Sequence, residues 1–309
     1  MRTLIVGNGI DIQYGGSSEY GNSAILERML KNVNEDKYSG LGFDKQELLD
    51  ILDTCEKTIN RIIRNEVGIP KDNNYLLLQM EMERVRRTYT SDSSLLDIGL
   101  EDIFLALEVL YLNSIDDNER ELCRYAKEEI LQPIVIDAIY NGGKVNELYK
   151  LYPDSFVNYL KSQDAIFTLN YDTNIECAVV GEVPVYHIHG CFSDYIDKAD
   201  SVVESFRHMY CNGIMSWYWL EKYGEEERDS RYGISELKNI EGKVELLGIS
   251  PCNDEQLFLR LMENTRIKSC DYYYFARTDA VEIRKHLCGH LSGHITDRDV
   301  KRFWKRHSN

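Results

Sequence analysis

LIVGNGIDIQYG, residues 4–15, decides how this chain is read. Thr3–Val6 is a short β-branched apolar run, closed at once by Gly7-Asn8-Gly9 and followed by Asp11. A buried strand that breaks into a glycine turn opens a doubly wound α/β sheet, where the turn brings backbone amides and a helix start against a phosphate. Gly7 and Gly9 permit the tight turn and the close approach. A dehydrogenase fingerprint needs a third glycine where Ile12 stands, and no ribose-binding acid follows a second strand about twenty residues on. An ordinary nicotinamide dehydrogenase is therefore disfavoured. The plainer alternative is a turn that needs only positive φ, with Asp11 as a helix N-cap.

A parallel strand needs partners, and the next stretch has none to offer. From about residue 23 to residue 162 the apolar spacing is helical. In DKQELLDILDTCEKTINRIIRNEV the residues Leu48, Leu49, Ile51, Leu52, Cys55, Ile59, Ile62 and Ile63 form one stripe. EDIFLALEVLYL and ERELCRYAKEEILQPIVIDAIY follow, the latter expected to kink at Pro133. Beyond it, 164–170, 183–189, 243–250 and 270–277 read as strands, with helices near 253–264, 279–288 and 296–306. The expected architecture is one Rossmann-like α/β domain over 1–309, a parallel sheet with helices on both faces. Its sheet comes from 1–22 and 163–309, and 23–162 is a helical insertion whose stripes are core, a lid or an oligomer interface.

Three later strands end in polar clusters, and ligands of open α/β sheets bind outside the carboxyl ends of strands. FTLNYDTNIE, 167–176, delivers Asn170 and Asp172; both also suit an Asx turn capping the next helix. VYHIHG, 185–190, is expected to aim His187 and His189 at one strand face. That pair could be structural, or could bind metal, although no nearby third ligand is clear; a weaker option is a metal-dependent hydrolase or nuclease using His187, His189 and Asp172. LLGISPCNDEQLF, 246–258, carries Gly248, Ser250 and Asp254, either an ordinary helix cap or a ribose-binding loop.

In this order GNGID, TLNYD, HIHG and LGIS resemble the sirtuin-like superfamily, and within it bacterial abortive-infection H proteins and their antiphage relatives. The resemblance covers about half the chain and implies a sirtuin-type NAD-binding fold and NAD glycohydrolase activity. Gly7, Asn8 and Gly9 would then sit at the pyrophosphate, and Asn170 would line the nicotinamide-ribose pocket and place a water. Asp172 would contact the carboxamide, and His189 would be the catalytic base. Gly248, Ser250 and Asp254 would lie near the adenine ribose, while Asp11 would either meet ribose or repel phosphate. His187 has no counterpart in the family pattern. Deacylation is disfavoured, because the four-cysteine zinc module of deacylating sirtuins is missing.

Composition sets the outer limits. The 309 residues, 43% of them apolar, can bury a large core. The eight cysteines are scattered singly with no CxxC pair, so neither a zinc ribbon nor a disulfide framework is indicated. No apolar run is long enough to span a membrane and no signal peptide is evident, so a cytoplasmic protein is expected. A formal charge of -16 disfavours nucleic acid. The basic run RDVKRFWKRH, 298–307, reads as a solvated terminal helix before it reads as a nucleic-acid contact. The acidic run 224–233 reads as an exposed loop. Expected partners are NAD or a related nucleotide, a phage-derived or operon-encoded activator, and further copies of the chain. No metal is expected. A different class of function, an NAD or ADP-ribose sensor without turnover, would use the same turn.

Overall fold

The computed structural model describes residues 1–71, 75–192, 234–250, 254, 257–258, 261, 264–281 and 294–308. The acidic run 224–233, much of the helices expected near 253–264 and 279–288, and Cys211, Cys252 and Cys288 lie outside those residues. The chain divides into two compact units. One takes Met1–Ser17, Gly143–Ser193 and the residues from Gly224 to Asn309; the other contains Ser18–Gly142. The stretch 143–162, expected in the insertion, thus packs with the sheet.

Six parallel strands build that sheet: β1 (Arg2–Val6), β2 (Ala165–Thr168), β3 (Val185–His187), β4 (Gly242–Leu247), β5 (Ile267–Tyr274) and β6 (His294–Asp299), in the order β3-β2-β1-β4-β5-β6. This is the strand order of the Rossmann dinucleotide-binding fold. β1 sits between β2 and β4, with Val6 level with Thr168 on one side and Leu247 on the other. The inner strands are buried almost throughout, which is why they read as unbroken apolar runs and not as alternation.

β6 corrects the expectation of a helix over 296–306. Only Val300–Arg306 is helical, and residues 294–299 form the edge strand beside β5. The misreading has a physical cause: an edge strand keeps charged side chains that discourage further pairing, so ITDRD lacks a strand's apolar signal. Asp299 caps the helix that follows, accepting from the Lys301 amide at 2.8 Å.

Buried in mid-sheet, Glu245 of β4 accepts from Lys243 Nζ at 2.8 Å, Tyr159 Oη at 2.9 Å and Tyr273 Oη at 3.0 Å. Those three bonds and a longer one from Arg2 make the burial of its charge tolerable. The first helix, α1 (Gly9–Gly15), sends Tyr14 into an aromatic group with Tyr152, Phe156 and Trp304, the Tyr14 and Tyr152 centroids 4.7 Å apart. No helix among the described residues is long and apolar enough to cross a membrane.

The second unit is helical, as the 3.6-residue spacing predicts. Its helix Lys45–Ile63 buries Leu48, Leu52, Cys55, Ile59 and Ile62, with Asp44 capping its start. Leu100–Asn113 is apolar on nearly all sides and lies in the middle of the core. A π segment, Ala126–Leu131, runs straight into Gln132–Tyr140, so the wider turn comes immediately before Pro133, whose missing amide breaks the regular bonding pattern. The irregularity expected at Pro133 therefore lies just before it.

Candidate functional site

The carboxyl ends of β1, β2 and β3 bring together residues from three distant segments. After β2 the chain turns through Leu169 and Asn170, whose amides donate to Val6 O at 2.9 Å and Thr168 Oγ1 at 3.0 Å. That turn holds Asn170 nine-tenths buried and aims its side chain at α1, where Nδ2 donates to Asp11 Oδ2 at 3.1 Å. Asp11 is therefore not the N-cap of α1. Asn8 takes that position, without a side-chain capping bond.

Asp172 stands beside Asp11, and both carboxyls are about 4% exposed. Burial, with the neighbouring Asp172 charge second, holds the Asp11 carboxyl well above the usual carboxylate range. Burial also raises Asp172, against the opposing pull of the Asn174 amide, which donates to Asp172 Oδ1 at 2.9 Å. Both carboxyls therefore resist ionisation, Asp11 the more strongly. Asp11 Oδ1, Asp172 Oδ2, Tyr14 Oη and Tyr152 Oη are buried without a hydrogen-bond partner. Asp11 and Asp172 act electrostatically on Tyr152, so these groups form one neighbourhood. Buried polar atoms left unmatched mark a place where a ligand or water belongs.

Asn174 fixes the next helix, α2 (Asn174–Val179). Its Nδ2 donates to Val145 O at 2.7 Å and its Oδ1 accepts from the Tyr149 amide at 3.0 Å. Glu176 on this helix meets His187 Nε2, while His187 Nδ1 donates to Asn170 O at 3.0 Å. Burial alone would lower the His187 pKa, but the side chains of Cys191 and Glu176 outweigh it and hold it well above the ordinary histidine value.

The two histidines do not share a strand face. β3 ends at His187, and His189 lies in the following turn. His189 is half-buried; its ring donates to Leu169 O and lies 6.4 Å, centroid to centroid, from Tyr171, so it rests on the residues flanking Asn170. Desolvation lowers its pKa to about 4, so the ring is neutral at physiological pH.

The glycines have a packing explanation. Gly7 and Gly9 donate their amides to Leu247 O at 3.1 Å and Gly248 O at 3.0 Å. A Cβ on Gly9 would lie 2.4 Å from Gly248 Cα, and one on Gly248, at φ 69°, would lie 2.9 Å from Gly9 Cα. Both amides are thus committed to β4 and its turn, and the glycines let two backbones touch. The contact sits at the switch point between β1 and β4, where chain direction across the sheet reverses. Ser250 and Asp254 are bound to each other, the Ser250 amide to Asp254 Oδ2 at 3.0 Å and the Asp254 amide to Ser250 O at 2.9 Å. That is the cap reading of this loop.

Of the residues singled out from sequence, Asp11, Asn170 and Asp172 are in direct contact, with His189 on the same turn. Gly7, Gly9 and Gly248 form their own backbone contact, and no bond joins the Ser250–Asp254 pair to the acids among the described residues. Glu176, Tyr14, Tyr152 and Cys191 were not foreseen. Glu176 stands inside the quoted FTLNYDTNIE one helical turn after Asp172, a spacing that could have marked it; Tyr152 carries no such signal. A separate open groove of about 900 Å³ lies along β5, β6 and the terminal helix, lined by Arg277, Lys301, Arg302, Lys305 and Arg306. The basic run 298–307 thus lines a groove whose residues do not include the acid pair. No family model, curated protein or solved structure matches the chain.

Proposed function

We propose that the chain is an NAD glycohydrolase, releasing nicotinamide and ADP-ribose, and that it serves phage defence of the abortive-infection kind. One observation carries the chemistry: a buried carboxyl pair, Asp11 and Asp172, stands with Asn170 at the carboxyl ends of β1 and β2. The charges that act on Asp11 and Asp172 include those of each other and of Glu176, with the His187 imidazole opposing them at Asp172. Such a site favours positive charge and disfavours phosphate.

Breaking the nicotinamide–ribose bond moves positive charge from the ring nitrogen onto the anomeric carbon. The bonding pair leaves with nicotinamide, water oxygen bonds to the anomeric carbon, and the water proton passes to a base and then to solvent. A fixed negative field beside that carbon stabilises the charge as it forms without reorganising. Asn170, tied by Nδ2 to Asp11, keeps its amide oxygen to orient water. His189 uses one nitrogen on Leu169 O, which leaves the other to accept the water proton. The pyrophosphate would lie away from the acids, towards the β1–β4 switch point.

Purified protein incubated with NAD should release nicotinamide. Asn170→Ala and His189→Ala should each lower the rate by about a hundred- to ten-thousand-fold. Full activity in both variants overturns the assignment. A silent wild type that binds NAD tightly would point to a sensor that holds the nucleotide without cleaving it.

A further inference from the structure

We infer that Glu176, His187 and Cys191 form a binding site for one divalent transition-metal ion, zinc being the best match. A carboxylate oxygen, an imidazole nitrogen and the thiol sulfur lie within 4.8 Å of one another. His187 and Cys191 are buried, and Glu176 is partly covered.

The imidazole is already set up as a ligand. Its Nδ1–H is spent on Asn170 O at 3.0 Å, so Nε2 is the nitrogen that faces Glu176. Metal-bound histidines are held in this way, with the second nitrogen donating to a carbonyl or carboxylate. Nε2, a carboxylate oxygen and a thiol sulfur face one another here, and without an ion the Nε2 proton bridges the imidazole and Glu176. A bound divalent ion takes the place of that proton and of the thiol proton, and its charge matches the two negative charges of a thiolate, a carboxylate and a neutral imidazole.

Two further observations point the same way. Glu176 Oε2 is buried with no hydrogen-bond partner, and so is Asp172 Oδ2, whose carboxyl acts on the same imidazole. Sulfur and nitrogen donors select zinc over magnesium or calcium. Three protein ligands leave a fourth position open. The site lies where β3 ends and pins the turn carrying His189 to the turn carrying Asn170. Its ligands differ from the His187, His189 and Asp172 set conceivable from sequence, because β3 stops before His189.

The full chain, purified after growth with added zinc, should carry one zinc per chain by mass spectrometry. Apo protein titrated with cobalt should develop the near-ultraviolet absorption of a thiolate-bound ion. Cys191→Ser should abolish that band, and Glu176→Gln should weaken binding at least about tenfold. Cys177→Ser, an exposed thiol on the same helix as Glu176, should change neither. Zinc should raise the melting temperature of wild type but not of Cys191→Ser. Failure to bind stoichiometric zinc or cobalt, or survival of the band in Cys191→Ser, would overturn the site. None of these readouts involves NAD, so the outcome is separate from that of the hydrolase reading.

Discussion

The Asn170 side chain donates from Nδ2 to Asp11 Oδ2 at 3.1 Å, joining residues 159 positions apart. That bond, with the Asp172 contact, leaves Asp11 a buried acid that resists ionisation. Below the unfolded carboxyl value of about 3.9 the group is protonated in both states and adds nothing. As pH rises past it, the unfolded chain releases a proton that the folded chain keeps, so stability falls until the raised native pKa is reached. Asp11→Asn removes this loss while still offering an amide to Asp172 and an oxygen to Asn170. The variant should be more stable than wild type at pH 7, and the gap should close as pH falls towards 3. Urea unfolding at both pH values checks it; a variant weaker at pH 7 would show that the charged form is needed.

The contact between Gly9 and Gly248 makes a second prediction. A methyl group on Gly9 would meet Gly248 Cα at 2.4 Å, backbone against backbone, with no flexible side chain to give way. Gly9→Ala should destabilise the sheet unit by about 2–4 kcal/mol. Gly40→Ala, where a methyl group meets nothing within 4 Å, should stay within about 0.5 kcal/mol of wild type. Hydrogen exchange of the β1 and β4 amides locates the effect.

These contacts separate what sequence reading can reach from what it cannot. The inner strands were legible because burial on both faces leaves an apolar run, closed by a glycine after β1 and β4. The chain order then required β1 to pair across the helical stretch, and it does. β6 was not legible, because an edge strand keeps its charges. Asn170 and Asp172 could be named because strand-end polar residues sit where ligands bind. Their partners could not: the bond from Asn170 to Asp11 depends on how α1 leaves its turn, and the meeting of Glu176 with His187 depends on Asn174 anchoring a helix to residues 145–149. The reason for the glycines was also hidden, since a tight turn and a backbone contact leave the same letter in the sequence.

Glu245 should dominate part of the acid response. Burial alone would raise its pKa, but Lys243, Tyr159 and Tyr273 bonded to the carboxylate outweigh it and hold the pKa below the ordinary value. Its contribution is complete above the unfolded glutamate value of about 4.3 and is lost as pH falls through the lower native value. Glu245→Gln should cost stability at pH 7 and much less near pH 3, so its stability curve between those points should be flatter than wild type. Equal slopes would assign the acid limb to other carboxylates.

The helical unit holds its own test of how a buried charge behaves. Asp102, almost fully buried, takes both terminal nitrogens of Arg84 and the Tyr89 hydroxyl at 2.7 Å, and Tyr89 Oη in turn accepts the Gly99 amide at 2.8 Å. Asp102→Ala would leave the buried Arg84 guanidinium with Glu81 alone, at 2.7 Å, and would strand the tyrosine. Removing one partner of a buried pair costs about 3–5 kcal/mol, because the charge left behind has lost its water and its counter-ion. The exposed pair Lys57–Asp53 has the same chemistry but keeps its water, so Asp53→Ala should cost under about 1 kcal/mol. Denaturant unfolding, with hydrogen exchange read along residues 100–113, separates the two. Equal costs would mean that the Arg84 charge finds water or a new partner once Asp102 is gone.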